Sequence, residues 1–255
     1  MLVHLVQPET HWHDAEANHR AVAQLCAGLL PGGLIVLPET FATGYTMDVP
    51  LAAASAEATG QFLVDLARQN RCHVLGGLVT TNAAGRGLNT AVLLDPVGNE
   101  IGRYEKLYPF SFAGEDRHYD PGPAVRVFDV AGVKLAPFIC YDLRFPEAFR
   151  EAALDGAEVF AVIANWPAAR QAHFQTLLAA RAIENVACCL GVNRTGTDPN
   201  VAYDGGSTAF DANGEALVRP AAAAGVYSFE LDVEAFRTRR AEFPVLADAR
   251  RRFWP

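Results

Sequence analysis

No run of about 18 apolar residues occurs anywhere in the chain, which excludes a membrane-spanning helix of ordinary length. The start, Met1-Leu2-Val3-His4-Leu5-Val6-Gln7-Pro8, has no basic n-region and is too short for a secretory h-region, so neither a membrane partner nor export is expected. Cysteine is sparse, with five residues, an odd total and no CxxC pair. That argues against a disulfide framework or a zinc cluster and for a reducing compartment, with the cytoplasm as the expected location. Basic charge is in deficit, 21 Lys and Arg against 29 Asp and Glu for a net −8, so a phosphate backbone is repelled and no nucleic-acid partner is expected. The one basic cluster, Arg237 to Arg240 with Arg250 to Arg252, reads as a solvated face or a subunit contact. Neither Gly85 with Gly87 nor Gly205 with Gly206 completes GxGxxG between a strand and a helix, so a nucleotide fold has no support. His11-Trp12-His13-Asp14 lacks the further ligands that a zinc site needs, and no metal is expected.

What the chain does have is apolar content: 51% of its 255 residues, ample for a large core. Strands at Leu2–Val6, Gly33–Leu37 and Val74–Val79 alternate with helices at Asp14–Leu30 and Ala56–Asn70, which is βαβ patterning. Asn89–Leu94 and Ile101–Tyr104 then flank the turn Asp95-Pro96-Val97-Gly98-Asn99, a hairpin signal that makes the sheet mixed. A second half repeats the pattern: strands at Ala124–Val130, Val133–Ile139, Glu158–Ala164 and Cys188–Val192, with helices at Pro146–Asp155 and Arg170–Val186. In the last helix Phe174, Leu177, Leu178, Ile183 and Val186 form an apolar stripe. Gly206–Phe210 and Glu215–Val218 flank Asp211-Ala212-Asn213-Gly214, another hairpin, and Gly225–Leu231 is the last strand. No Pro/Ser-rich linker interrupts this order, so an α/β fold of one domain over 1–255 is expected, two mixed sheets packed together with helices on the outer faces.

Chemistry-bearing residues collect where strands end. Cys140 follows the apolar strand Val133–Ile139 and precedes Phe145-Pro146-Glu147, a helix start. Helix N-terminal amides favour thiolate, so the Cys140 thiol is expected below the ~8.5 of a free cysteine. Cys26, Cys72, Cys188 and Cys189 read as buried hydrophobes. Glu39 stands at the exit of Leu34-Ile35-Val36-Leu37-Pro38, where desolvation suits a general base. Lys106 closes a hairpin strand, where an ammonium can balance carboxylates and meet an oxyanion, and Glu115 lies nine residues on. Taken singly, each has a plainer alternative: a buried thiol, a helix-capping acid, a surface lysine. None of the seven histidines sits in a Cys/His signature, which counts against a papain-like peptidase.

Together, Leu37-Pro38-Glu39-Thr40-Phe41, Tyr104-Glu105-Lys106 and Cys140-Tyr141-Asp142-Leu143-Arg144-Phe145-Pro146-Glu147 resemble, in order and spacing, the nitrilase or carbon–nitrogen hydrolase superfamily. Ala164-Asn165-Trp166-Pro167, Arg181-Ala182-Ile183-Glu184-Asn185 and Gly191-Val192-Asn193-Arg194-Thr195-Gly196, with Tyr203, Gly205 and Ser207, are similar to its omega-amidase branch. Thr40 departs from the methionine expected there, which bears on substrate preference rather than chemistry. The resemblance implies a four-layer αββα sandwich that forms a homodimer, and a catalytic Glu39, Lys106 and Cys140 with Glu115 as a fourth member. It implies hydrolysis of the side-chain amide of 2-oxoglutaramate and 2-oxosuccinamate through a thioester on Cys140. The backbone N–H of Tyr141 would help hold the oxyanion, and no metal or organic cofactor is needed. A 2-oxo acid needs a cation for its carboxylate. Arg144, Arg170 and Arg194 are the candidates, with Phe41 and Trp166 as pocket walls. An N-carbamoyl amino acid or aliphatic amide hydrolase, or a catalytically silent binding module, are the alternatives.

Overall fold

The computed structural model describes residues 1–249, so the Arg250 to Arg252 part of the basic cluster lies outside the described residues. The first half runs β1 (Leu2–Gln7), α1 (Ala15–Leu25), β2 (Leu34–Val36), α2 (Val49–Ala54), α3 (Ala56–Asn70), β3 (His73–Thr81), β4 (Gly87–Leu94) and β5 (Glu100–Glu105). The second runs β6 (Phe128–Val130), β7 (Val133–Ile139), α4 (Pro146–Leu154), β8 (Val159–Ile163), α5 (Gln171–Asn185), β9 (Cys188–Val192), β10 (Thr195–Asp198), β11 (Val201–Asp204), β12 (Ser207–Phe210) and β13 (Ala216–Ala221). β14 (Gly225–Glu230), α6 (Val233–Glu242) and α7 (Val245–Asp248) follow.

Two six-stranded sheets result, ordered β14-β1-β2-β3-β4-β5 and β6-β7-β8-β9-β12-β13. They share one pattern: an antiparallel edge strand, three parallel strands joined through helices, then two antiparallel strands. The mixed sheets expected from the hairpin turns are therefore present. In both main turns an aspartate organises the backbone: Asp95 accepts from Val97 and Asn99 amides, and Asp211 from those of Asn213 and Glu215.

Strand alternation explains the layers. Val3, Leu5, Leu34, Val36, Leu75, Ala91 and Leu93 face the second sheet, in one core with Leu135, Val159, Ala161 and Leu190. Their neighbours Val6, Ile35, Leu37, Val74, Val92 and Leu94 turn outward to Val22 of α1 and Leu63, Leu66 and Ala67 of α3. On the other sheet, Phe149 and Ala152 of α4 and Phe174 and Leu178 of α5 provide the outer cover. The order helix, sheet, sheet, helix is the expected αββα sandwich.

Some elements differ from expectation for physical reasons. The buried face of α5 is Phe174, Leu178, Arg181, Ala182 and Asn185, while Ile183 is 50% exposed, so two polar residues occupy part of the expected apolar stripe. The strand foreseen from Ala124 shrinks to Phe128–Val130. Helix α6 buries Phe236 alone and so shows no apolar periodicity; its signal is the Asp232 side chain accepting from the Ala235 amide. Arg237 and Arg240 of the basic cluster lie on α6, where Arg237 pairs with Glu158 and Arg240 donates to the Val186 and Ala157 carbonyls. Their donors thus tie α6 to its own chain. Among the described residues no helix is long and apolar enough to cross a membrane.

Candidate active site

Glu39 and Cys140 sit beyond the C-terminal ends of parallel strands, where open α/β sheets form their binding crevices, and Lys106 and Glu115 reach them from β5 and the loop after it. Glu39 lies three residues past the end of β2 and is fully buried. Its turn is tight: Thr40 has φ +39°, rare for a β-branched residue. Thr40 is held there because its carbonyl accepts from the Thr43 and Gly44 amides and its hydroxyl from Asn165 Nδ2 at 2.9 Å. Strand β3 passes so close that a Cβ on Gly77 would fall 2.7 Å from the Thr40 nitrogen, which requires glycine at that place. Lys106 is the first residue after β5, and its amide donates to the Asn89 carbonyl at 2.9 Å. Glu115 begins a 3-10 turn, Glu115–Arg117, and accepts from the Phe110 amide.

Cys140 breaks the strand direction at once, with Ile139 extended at φ −121° and Cys140 left-handed at φ +46°. Such strain in a non-glycine residue turns a side chain out at a sharp strand-to-helix corner and costs of order 1–3 kcal/mol. Behind the corner the Asp142 carboxylate accepts from the Ile139 amide, the Tyr108 amide and the Tyr104 hydroxyl, at 2.9, 3.0 and 2.6 Å. Burial pushes the Asp142 carboxyl up to about 7 against the pull of these donors. Arg181 of α5 braces the corner from the other side, donating through Nε and Nη2 to the Leu143 carbonyl.

These four residues meet in one buried cluster. Lys106 Nζ donates to Glu39 Oε1 at 3.0 Å and to Glu115 Oε2 at 2.8 Å. Burial alone would lower the Lys106 pKa, but Glu115 and Glu39 outweigh it and hold the ammonium well above the usual lysine range. Burial likewise opposes ionisation of Glu115, and Lys106 with the Phe110 and Asn89 donors wins, keeping that carboxyl below its ordinary value. The Cys140 thiol moves opposite to expectation. Burial, then the Glu39 charge, push it well above the normal thiol range, and the pull of Lys106 is weaker. Cys140 opens a five-residue 3-10 turn, Cys140–Arg144, rather than a long helix, and the Glu39 carboxylate that opposes its ionisation comes from the other sheet. A thiol held in this way needs a base to lose its proton, and Glu39 is the carboxylate whose charge acts on it most strongly.

A cavity of about 370 Å³ opens over Cys140 and Lys106. Arg144, Trp166 and Arg170 line it, with Arg144 stacked 5.0 Å from the Trp166 ring and Trp166 Nε1 donating to the Arg170 carbonyl at 2.8 Å. Tyr141, next to the cysteine, lines it too, and as the second residue of its turn its N–H has no partner within that turn. Two expected substrate contacts lie elsewhere. Phe41 is buried on the outer side of the first sheet against His19 and Phe62, because the turn after Glu39 points it into that layer. Arg194 is fully buried, its guanidinium spent on Asp198, the Thr10 carbonyl and the Thr195 carbonyl, so it braces the β10–β11 hairpin and does not reach the cavity.

Three residues beyond those foreseen complete the site. Asn165 stands two residues past β8, the counterpart of Glu39 past β2; its backbone N–H donates to Glu39 Oε2 at 2.8 Å and its Nδ2 to the Glu39 carbonyl at 2.8 Å. Its own carbonyl accepts from the Cys140 thiol at 3.8 Å. The strand-exit rule that singled out Glu39 also applies to Asn165. Asn89 donates from Nδ2 to Glu39 Oε1 at 2.7 Å and Glu115 Oε1 at 3.1 Å. Its signal is a polar residue in phase with inward-facing Ala91 and Leu93 on β4. Tyr45 lines the cavity with its ring 5.4 Å from Lys106 Nζ and its hydroxyl buried without a partner among the described residues.

Known proteins resemble this chain in sequence and in fold. The carbon–nitrogen hydrolase family model matches residues 2–241. The chain belongs to the carbon–nitrogen hydrolase family. It is 38% identical to omega-amidase YafV of Yersinia enterocolitica over 250 residues, covering 96% of this chain and 94% of that protein. It is 32% identical to the 2-oxoglutaramate amidase of Bacillus subtilis, covering 86% and 85% of the two chains. Among solved structures, a superfamily member from Xanthomonas campestris, with an arsenic adduct in its active site, superposes with TM-score 0.92 at 29% identity over 98% of this chain and 97% of that one. The Nesterenkonia sp. AN1 amidase, seen after Michael addition of acrylamide at its active-site cysteine, gives TM-score 0.83 at 25% identity over 96% and 98%. This carbon–nitrogen hydrolase thus combines the family's fold with a cluster of two carboxylates, one ammonium and one thiol.

Proposed function

We propose that this carbon–nitrogen hydrolase is an omega-amidase: a cysteine-dependent amidohydrolase, acting as a single domain, that cleaves the side-chain amide of 2-oxoglutaramate and 2-oxosuccinamate to ammonia and the 2-oxo acid. One observation carries the substrate class. Among the described residues the cavity is lined by three cations, Lys106, Arg144 and Arg170, and by no Asp or Glu. Two carboxylates already neutralise Lys106, whereas neither arginine has an ion-pair partner among the described residues. An anionic substrate without an ammonium fits those charges, and an amino acid such as glutamine brings a positive charge that has no acid to meet.

Glu39 takes the thiol proton as Cys140 Sγ attacks the amide carbon. The oxyanion that forms meets the Lys106 ammonium and the Tyr141 N–H, each good donor lowering the barrier by about 3 kcal/mol. Collapse breaks the C–N bond, the proton held by Glu39 goes to the leaving nitrogen, and ammonia departs from a thioester. Water then attacks the thioester carbon while Glu39 takes its proton, and the second collapse returns that proton to the sulfur and frees the 2-oxo acid. Base, nucleophile and oxyanion donors are groups of the chain itself, and the mechanism calls on no metal or organic cofactor. The relatives' names and the reactive cysteine of the Nesterenkonia amidase support this reading. A homodimer and a cytoplasmic location belong to the same proposal, and the five free thiols of the described chain suit a reducing compartment.

Ammonia release from 2-oxoglutaramate, glutamine, asparagine, an aliphatic nitrile and an N-carbamoyl amino acid tests it. The 2-oxo amide is expected to exceed glutamine in kcat/KM by at least ~100-fold, the discrimination that an unpaired buried charge imposes. Equal turnover of glutamine, or preference for the N-carbamoyl compound, would overturn the assignment. Replacing Arg144 and Arg170 together by Met is expected to raise KM for 2-oxoglutaramate by ~10- to 100-fold, the loss of charge-assisted hydrogen bonds, and to leave KM for a neutral aliphatic amide within a factor of about two.

A further inference from the structure

We propose that Asn89 is a positioning residue of this enzyme, its side-chain amide being the shared donor that holds Glu39 and Glu115 as two ionised carboxylates on one lysine. Asn89 Nδ2 lies 2.7 Å from Glu39 Oε1 and 3.1 Å from Glu115 Oε1, and Lys106 Nζ lies 3.0 and 3.1 Å from the same two oxygens. The two carboxylate oxygens are thus bridged twice, once by a charged donor and once by a neutral one. The orientation of the amide is dictated by its partners, since ionised carboxylates only accept and the nitrogen must face them. Its oxygen is left buried with no partner among the described residues, a costly arrangement that an apolar residue would avoid. The Asn89 carbonyl accepts the Lys106 amide, so one residue fixes the backbone of the lysine and the head groups of both acids.

The physical need is charge balance. Glu39 from the β2 exit, Glu115 from its 3-10 turn and Lys106 from the β5 exit sum to −1, and the other titratable groups that face them are Tyr45, Tyr119, Cys140 and Asp142. Two carboxylates that share a buried site ordinarily force one to bind a proton. A neutral donor aimed at both oxygens opposes that without the second positive charge that would hold Glu39 back from taking the thiol proton. Asn89 does not line the cavity, so it acts through the acids and not on substrate.

This inference rests on the amidase reading for its kinetic arm, and one arm is independent of it: the pH profile of iodoacetamide alkylation at Cys140, which needs no substrate. In Asn89→Ala, carboxylates stripped of a donor hold protons to higher pH, so the acid limb of the alkylation profile is expected to move up by about one unit or more. With 2-oxoglutaramate, kcat falls by ~10- to 100-fold while KM stays within about twofold. Asn89→Asp, the same shape with the donor replaced by an acceptor, is expected to be slower than Asn89→Ala at neutral pH, the reverse of the order that a space-filling role gives. Asn89→Ser, which keeps one donor, has an intermediate limb and provides the same measurement if the alanine variant does not fold. An acid limb unmoved in the folded variants, or Asn89→Asp outperforming Asn89→Ala, would overturn the proposal. Wild-type enzyme inactive on 2-oxoglutaramate, with the limb still moving, refutes the substrate assignment and leaves the role of Asn89 standing.

Discussion

Cys140→Ala is expected to abolish amide hydrolysis, with kcat down by ~10⁵-fold or more, while the protein folds as the wild type does. The size of the effect follows from the mechanism. Without sulfur no thioester forms, and what remains is whatever the Lys106 ammonium and the Tyr141 N–H do for direct attack by water. Folding is spared because the thiol contributes little: its contact to the Asn165 carbonyl is 3.8 Å long, and alanine tolerates the left-handed φ of +46° no worse than cysteine. Cys140→Ser is expected to be nearly as inactive, since a hydroxyl yields its proton to Glu39 far less readily than a thiol. Alkylation gives the second readout. Cys26, Cys72, Cys188 and Cys189 are buried in the core, whereas Cys140 is partly exposed where it lines the cavity, so native wild type should take up one equivalent of iodoacetamide and Cys140→Ala none. Ammonia release within tenfold of wild type in Cys140→Ala would refute the nucleophile.

How far such a site can be read from sequence depends on whether a residue's role is local. Glu39 and Cys140 each follow an apolar strand and Lys106 closes the hairpin strand β5, and such strand ends are visible as the place where an apolar run or a hairpin meets a polar group. The same logic reaches Asn165, once the two sheets are seen to repeat one strand pattern and the β8 exit is matched to the β2 exit. Charges on loops are less legible. Arg144, Arg170 and Arg194 look alike in sequence, yet Arg194 is enclosed by a β10–β11 hairpin whose short strands, Thr195–Asp198 and Val201–Asp204, carry no apolar run, while the other two border open space. The Cys140 thiol illustrates a different limit. A helix following a cysteine suggests a lowered pKa, but burial and a carboxylate arriving from another sheet set the direction, and neither is a local property. Helix α6, polar on every side, and α2, six residues long, lack the periodicity that exposes a helix and are marked by their capping aspartates, Asp232 and Asp48.

Lys106→Ala is expected to lower kcat/KM by at least ~10³-fold, and its stability to depend on pH in the opposite sense from the wild type. The rate loss combines one oxyanion donor, worth about 10²- to 10³-fold, with the misplacement of Glu39. The stability change is electrostatic. Removing the ammonium leaves two carboxylates without the cation they share, both inaccessible to solvent, and breaking a buried ion pair on one side costs about 3–5 kcal/mol. In the wild type Lys106 keeps the Glu115 pKa below its unfolded value, so this group stabilises the fold above pH ~4 and loses that contribution as the pH falls. Without the lysine, burial and the neighbouring carboxylate raise the folded-state pKa above the unfolded one. The variant is then best accommodated at low pH, where Glu115 carries a proton, and weakens as the pH rises. The gap in thermal midpoint between wild type and Lys106→Ala is therefore expected to widen steadily from pH ~4 to neutrality. A gap that stays constant with pH would mean that the lysine does not hold the acids, and a rate loss below tenfold would mean that it does not stabilise the oxyanion. The combination of a large kinetic loss and a pH-dependent stability loss is what one ammonium produces when it serves both a pair of buried acids and the reacting carbonyl.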